Sequence, residues 1–193
     1  MSETVDSKGQ PRVSPETNPD EEQARILAKT LLTPSSEPLN LFRVLVRYPE
    51  LMKRVNGLGG LFMAHGSLDT REREMVILRV ARRTSCDYEF AQHSPIGIRV
   101  GLTEEEIRQL GMPIEDGSWA EDEAKLLEFA DQIVADLDVS DQLWDSVASR
   151  HEPGQMMELA LLVGYYRMLA GFIRTLRIPL EEGAVGLPAD RDE

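Results

Sequence analysis

"SLDTREREMVILRVARRTSCDYEFAQHSPIGIRVG", residues 67–101, decides the fold. Its first half reads as one strong helix, with Thr70 as the expected N-cap and Arg73 or Glu74 in the first turn. Met75, Leu78 and Arg82 share one face, and Val76, Ile77, Val80 and Ala81 fill the rest. A second helix is expected from near Ser85 to about Val100, where Gly101 ends it. Thr103 then caps "EEEIRQLG", whose three leading glutamates suit the positive end of a helix dipole.

Outward from this pair the rhythm stays helical. "DEEQARILAKTLL" spaces Ala24, Leu27, Ala28, Leu31 and Leu32 as a helix would. "LNLFRVLVRYPELMKRVNGLGGLFMAHG" reads as two helices meeting at Tyr48-Pro49, since proline disfavours helix at the residue before it. "AEDEAKLLEFADQIVADL" and "SDQLWDSVASR" are amphipathic, the second capped by Ser140. "GQMMELALLVGYYRMLAGFIRTLR" is apolar almost all round, which suits a central helix or one at a subunit contact; Pro179 lies beyond it. No alternating stretch of strand length competes. The expected class is a single-domain all-α fold of about eight helices over residues 20–185, with a disordered tail at 1–19 and a C-terminal tail at 186–193.

Composition narrows the function. Thirty-four acidic against twenty-one basic residues leave a net charge of −13, which repels phosphate backbones and anionic lipid. Neither nucleic acid nor membrane is an expected partner. The stretch 156–173 is broken by Glu158 and Arg167, too charged for a membrane span. The N-terminus has no apolar h-region, so no signal peptide is expected, and one cysteine fits a reducing cytoplasm. One cysteine also rules out an internal disulfide and a Cys-rich zinc site, and no metal is expected.

Cys86, Glu89 and His93 stand at i, i+3 and i+7, on one helical face, and can line one pocket. Placed just after Thr84-Ser85, Cys86 is expected in a first helical turn, where free amides and the dipole lower a thiol pKa. Glu89 lies four residues before His93 and could bond its imidazole. The same spacing also fits an inert core cysteine beside a solvated Glu–His pair. Glu74, twelve residues before Cys86, is either a site carboxylate or a dipole-complementing glutamate. His65 and His151 read as histidines at helix ends. Tyr165, Tyr166 and Arg167 interrupt the last helix; a buried Arg167 would need Glu158, Glu74 or a ligand carboxylate.

"LDTREREMVILRVARRTSCDYEFAQHSPIGIRVGLTEEEI" and "ELALLVGYYRMLAGFIRTLRIPLEEG" together resemble the carboxymuconolactone decarboxylase family, which includes the alkylhydroperoxidase D-like proteins. The resemblance spans roughly residues 35–185. In the family's redox-active members a glutamate precedes Cys-x-x-Cys, with a histidine four residues on. The resemblance assigns Glu74 to the glutamate, Cys86 to the first cysteine and His93 to the histidine. Glu89 stands where the second cysteine would be, so a dithiol cycle cannot close. The family also implies a homo-oligomer, a trimer or hexamer, and no cofactor.

The favoured expectation is a cofactor-free acid/base enzyme acting on a small carboxylic acid, lactone or enolisable carbonyl compound. Glu74, His93, Glu89 and Cys86 carry the proton chemistry, and Arg167 and Tyr166 bind substrate. The alternatives are a single-cysteine, thiol-dependent peroxide reductase and a non-enzymatic helical oligomer binding an apolar ligand or partner.

Overall fold

The computed structural model describes residues 9–33 and 35–188. Among them are nine α-helices: α1 (Glu21–Leu27), α2 (Asn40–Leu45), α3 (Pro49–Ala64), α4 (Thr70–Arg83), α5 (Asp87–Arg99), α6 (Glu104–Leu110), α7 (Glu121–Asp136), α8 (Asp141–Ala148) and α9 (Pro153–Leu176). A 3-10 turn at Ile114–Asp116 precedes α7, and the β pairing among the described residues is a single bridge between Leu32 and Pro38. The all-α reading holds, with one helix more than the pattern predicts.

Helix α4 is the axis. Every residue from Arg73 to Ala81 is buried, so no face of this stretch is left to solvent. Helices α5, α6, α7 and α9 surround it. Val76, Ile77 and Val80 join one core with Leu126 and Phe129 of α7 and Leu159, Leu162 and Tyr166 of α9. Met75, Leu78 and Ala81 join another with Phe90 of α5, Ile107 and Leu110 of α6, and Leu127 of α7.

Capping decides the helix limits. Asp69, not Thr70, is the N-cap of α4, and its carboxylate accepts from the amides of Arg71 and Glu72. Thr103 and Glu106 form a reciprocal capping box on α6. Helix α1 stops at Leu27, short of the apolar spacing that runs on to Leu31 and Leu32, and both of those are exposed. Gly101 ends α5 at φ 101°, a conformation in which a side chain would be strained.

Irregular segments tie the two ends to this body. Of the expected N-terminal tail, residues 1–8 lie outside the described residues. Residues 9–19 have no helix and are laid on the bundle: the Arg12 amide donates to the Leu176 carbonyl (2.9 Å), and the Glu16 amide to that of Arg43 (2.9 Å). Residues 189–193 also lie outside the described residues. Just after α9, Glu181 accepts from the Tyr88 hydroxyl (2.6 Å) and the Asn40 amide (2.7 Å), joining α5, α2 and the C-terminal segment.

Helix α9 is long and apolar enough to cross a membrane by length and composition, but 56% of its apolar window is buried inside the bundle. That is the position of a core helix.

Arg79 grips Asp131 of α7 through two bonds, Nε to Oδ1 (2.7 Å) and Nη2 to Oδ2 (2.6 Å), largely out of water. Removing one member of such a pair strands the other charge. Arg79→Met is expected to lower the unfolding free energy by about 3–5 kcal/mol. Arg25→Met, which breaks a pair whose side chains are 67% and 92% exposed, should cost under about 0.5 kcal/mol. Urea unfolding followed by circular dichroism checks both, and equal losses would contradict the assignment.

Candidate active site

The turn between α4 and α5 sets the register of the site. Thr84 caps α4, Ser85 sits in the left-handed region at φ 50°, and Cys86 caps α5, its amide donating to the Ala81 carbonyl (2.8 Å). The two helices fold back on each other about this turn. Glu74 lies nine residues before the end of α4 at Arg83, and His93 six residues after the start of α5 at Asp87. His93 Nδ1 lies 2.7 Å from Glu74 Oε2, at a buried contact.

Glu74 has a second partner that the spacing did not reveal. Arg73 Nε donates to Glu74 Oε1 (2.9 Å), and Arg73 Nη1 donates to the carbonyls of Met63 (3.2 Å) and Phe62 (3.4 Å) at the end of α3. Burial alone would push the Glu74 carboxyl up. The His93 bond and the Arg73 guanidinium outweigh it, so the group is held below its ordinary 4.5. Glu74 is therefore not a first-turn glutamate complementing a dipole; it is a carboxylate kept ionised inside the core. An ionised carboxylate only accepts, so Nδ1 of His93 carries the proton in this contact.

The other half of the site is neutral. Cys86 is the N-cap of α5 rather than a first-turn residue, and no cap bond runs to its side chain. The expectation of a lowered thiol pKa fails here. Burial pushes the thiol up to about 12, the Glu89 carboxyl adds to this, and the nearby amides of Glu89 and Tyr88 only partly offset it. Glu89 does not bond His93, as its four-residue offset allowed. Both of its oxygens are buried without a hydrogen-bond partner, and burial drives its carboxyl well above 4.5, with the Cys86 thiol pulling the other way. Burial thus favours its protonated form.

Tyr166 borders both halves. Its ring meets the His93 ring edge-on, centroids 5.0 Å apart, and its hydroxyl points to the Met63 sulfur (3.5 Å). Burial raises its pKa, and the charges of Glu74 and Glu89 raise it further. Tyr165 packs edge-on against Tyr166, and its hydroxyl donates to the Val55 carbonyl (3.0 Å). Arg167 is a correction. Successive residues on a helix turn by about 100°; with Tyr165 and Tyr166 turned inward, Arg167 lies exposed, away from Glu74 and Glu158. Glu158 instead accepts from the amide (2.6 Å) and hydroxyl (2.7 Å) of Ser67.

Access narrows to one residue. Glu74, Cys86 and Glu89 are 0%, 1% and 3% exposed, against 9% for His93, so His93 is the most outward of the four. His65 is the exposed C-cap of α3, as its position suggested. His151 bonds the Val147 carbonyl near the end of α8 (2.9 Å) and Glu72 (3.0 Å). It borders a cavity of about 340 Å³ with Arg150 and Lys125, apart from the Glu74–His93 pair.

Comparison with known proteins places this arrangement. Residues 49–132, which include Glu74, Cys86, Glu89 and His93, match the model of the Carboxymuconolactone decarboxylase family. This match covers the stretch whose motif order carries the resemblance to the carboxymuconolactone decarboxylase and alkylhydroperoxidase D-like family. No curated protein matches it in sequence. Among solved structures it is similar to an uncharacterized peroxidase-related protein from Silicibacter sp. TM1040, at 16% identity and a TM-score of 0.74 over 95% of this chain and 97% of that one. A peroxidase-related protein with an alkylhydroperoxidase core from Ralstonia eutropha JMP134 matches at 17% and 0.72, over 85% and 87%. A cysteine-to-alanine variant of the debrominase Bmp8, in complex with 2,3,4-tribromopyrrole, matches at 16% and 0.72, over 88% and 91%. At these identities the likeness is one of fold.

The buried acid makes a stability prediction. A carboxyl whose folded pKa is raised stabilises the fold fully below its unfolded value and loses that contribution as pH climbs toward the folded value. Glu89→Gln removes this loss. The variant should gain stability over the parent as pH rises above the ordinary 4.5, and show no such gain near pH 4. Urea unfolding across pH checks this, and a pH-independent difference would contradict a buried neutral acid.

Proposed function

We propose that this protein is a cofactor-free enzyme that moves a proton on a small enolisable substrate, with His93 as the base. The observation that carries the reading is the 2.7 Å contact between His93 Nδ1 and a Glu74 carboxylate whose other oxygen is held by Arg73. Glu74 fixes the tautomer and stabilises the imidazolium that forms when Nε2 takes a proton. The outward edge of the ring is where a substrate C–H would arrive. Loss of a proton or of CO₂ leaves the same kind of enolate, so isomerase-type and decarboxylase-type reactions share this machinery. Cys86 and Glu89 supply uncharged proton donors behind it.

Thiol-dependent peroxide reduction has weaker support. The nucleophile in that chemistry is the thiolate, and Cys86 is buried with its pKa pushed up to about 12. A self-associating protein fits the outer face of α9, where Met157, Leu161 and Met168 are exposed in one stripe. That supports the expected homo-oligomer. It also leaves a non-enzymatic binding role as the outcome to accept if no turnover is found.

A screen of enolisable acids, lactones and ketones for solvent deuterium uptake and CO₂ release tests the reading. For the substrate it identifies, His93→Ala and Glu74→Gln should each lower turnover by about 10²–10⁴-fold with the helical content unchanged. Full activity in both variants would refute the assignment. Peroxide consumption with an added thiol, abolished in Cys86→Ser, would establish the other chemistry.

A further inference from the structure

The proton-transfer reading leaves open what kind of molecule the site accepts. Glu89 bears on this directly. It is a buried carboxyl with both oxygens unpartnered, beside a thiol, on the same face of α5 as the base and one turn before it. A buried polar group without a partner costs about 1–3 kcal/mol, and a group arriving in the site can satisfy it.

The placement of the cations is equally telling. Arg73 is turned to Glu74 and to the carbonyls of Phe62 and Met63. Arg167 stands exposed on α9. Among the described residues, neither oxygen of Glu89 is hydrogen-bonded by a cationic side chain. A substrate carboxylate entering here would meet the ionised Glu74, while the Arg73 guanidinium is already engaged. An unpaired anion in such surroundings is strongly disfavoured.

We propose that the Cys86–Glu89 end of the site binds the carbonyl oxygen of an uncharged substrate, a ketone, ester or lactone, through a hydrogen bond donated by Glu89, and that it turns away free carboxylates. This rests on the proton-transfer reading for its chemistry and narrows it from carboxylic acids to neutral carbonyl compounds. Burial favours the protonated form of Glu89, the form that can donate.

The steps balance. His93 Nε2 takes the proton from the carbon beside the carbonyl. The electrons of that C–H bond form a C=C bond, and the carbonyl π pair moves onto oxygen, which receives the Glu89 proton. The Cys86 thiol beside Glu89 hydrogen-bonds the carboxylate left behind. Return of a proton from His93 to carbon, and of the enol proton to Glu89, regenerates both groups. When His93 has exchanged with solvent, the product carries solvent hydrogen. No oxidant or reductant enters.

Ethyl acetoacetate and acetoacetate differ in charge but share the same activated carbon, so they test the assignment as a pair. Saturation-transfer NMR on the full chain reads binding, and solvent deuterium uptake at the carbon between the two carbonyls reads turnover. The ester should bind at least about tenfold more tightly than the acid, since the acid brings an unpaired charge. Glu89→Gln should keep ester binding, because its amide still donates, while Glu89→Leu weakens it by about tenfold. Turnover of the ester should fall in Glu89→Gln even though binding is kept. Equal or tighter binding of acetoacetate, no binding of the ester, or unchanged ester binding in Glu89→Leu would each overturn the proposal. Ester that binds as expected but takes up no deuterium would instead overturn the proton-transfer reading and leave the binding assignment standing.

Discussion

A carboxylate buried in the middle of a helical bundle is the constraint on which this structure turns. Ionised, Glu74 would cost several kcal/mol in an apolar interior without partners. It has two, one on each oxygen: the guanidinium of Arg73 and the imidazole of His93. Arg73 in turn needs acceptors, and the end of α3 supplies the carbonyls of Phe62 and Met63. Helices α3, α4 and α5 are thus joined through polar groups at one point, with Tyr166 of α9 closing over His93. The surrounding core holds this chain of contacts in one arrangement.

The site has two electrostatic characters side by side. Around Glu74, opposite charges and hydrogen bonds overcome burial, and the carboxyl is pulled down. Around Glu89 there is burial without a charge to oppose it, and the carboxyl is pushed up. Two glutamates on facing helices are therefore shifted in opposite directions, one toward an acceptor and one toward a donor. That is the arrangement acid/base chemistry requires when both roles are carried out near neutrality. It also explains why a glutamate at the position of a second cysteine changes the character of the neighbouring thiol. Burial, and Glu89 after it, keep Cys86 a thiol.

Much of this was legible in the sequence. The helical rhythm of residues 67–101, the break at Tyr48-Pro49 and the caps at Thr103 and Ser140 are local signals, and local hydrogen bonding honours them. The order of Glu74, Cys86, Glu89 and His93 carries the family resemblance. What spacing could not show was pairing across helices. Glu74 and His93 meet because α4 and α5 fold back on each other about a short turn in which Ser85 adopts a left-handed conformation. The same turn made Cys86 the cap of α5 and buried it, reversing the expected direction of its pKa. Arg73 was overlooked because one arginine in a charged first turn looks like surface; only the burial of α4 on every side gives it a role. Arg167 failed for the converse reason, since a helix apolar almost all round need not be covered all round.

The most direct measurement is the tautomer of His93, read from the ring ¹⁵N signals of the intact protein at neutral pH. Nδ1 should carry the proton, bonded to an ionised Glu74, with Nε2 unprotonated, and this preference should be lost in Glu74→Gln. A proton on Nε2 with Nδ1 bare would contradict the account, because Glu74 would then be a protonated donor and His93 would have no lone pair facing the substrate.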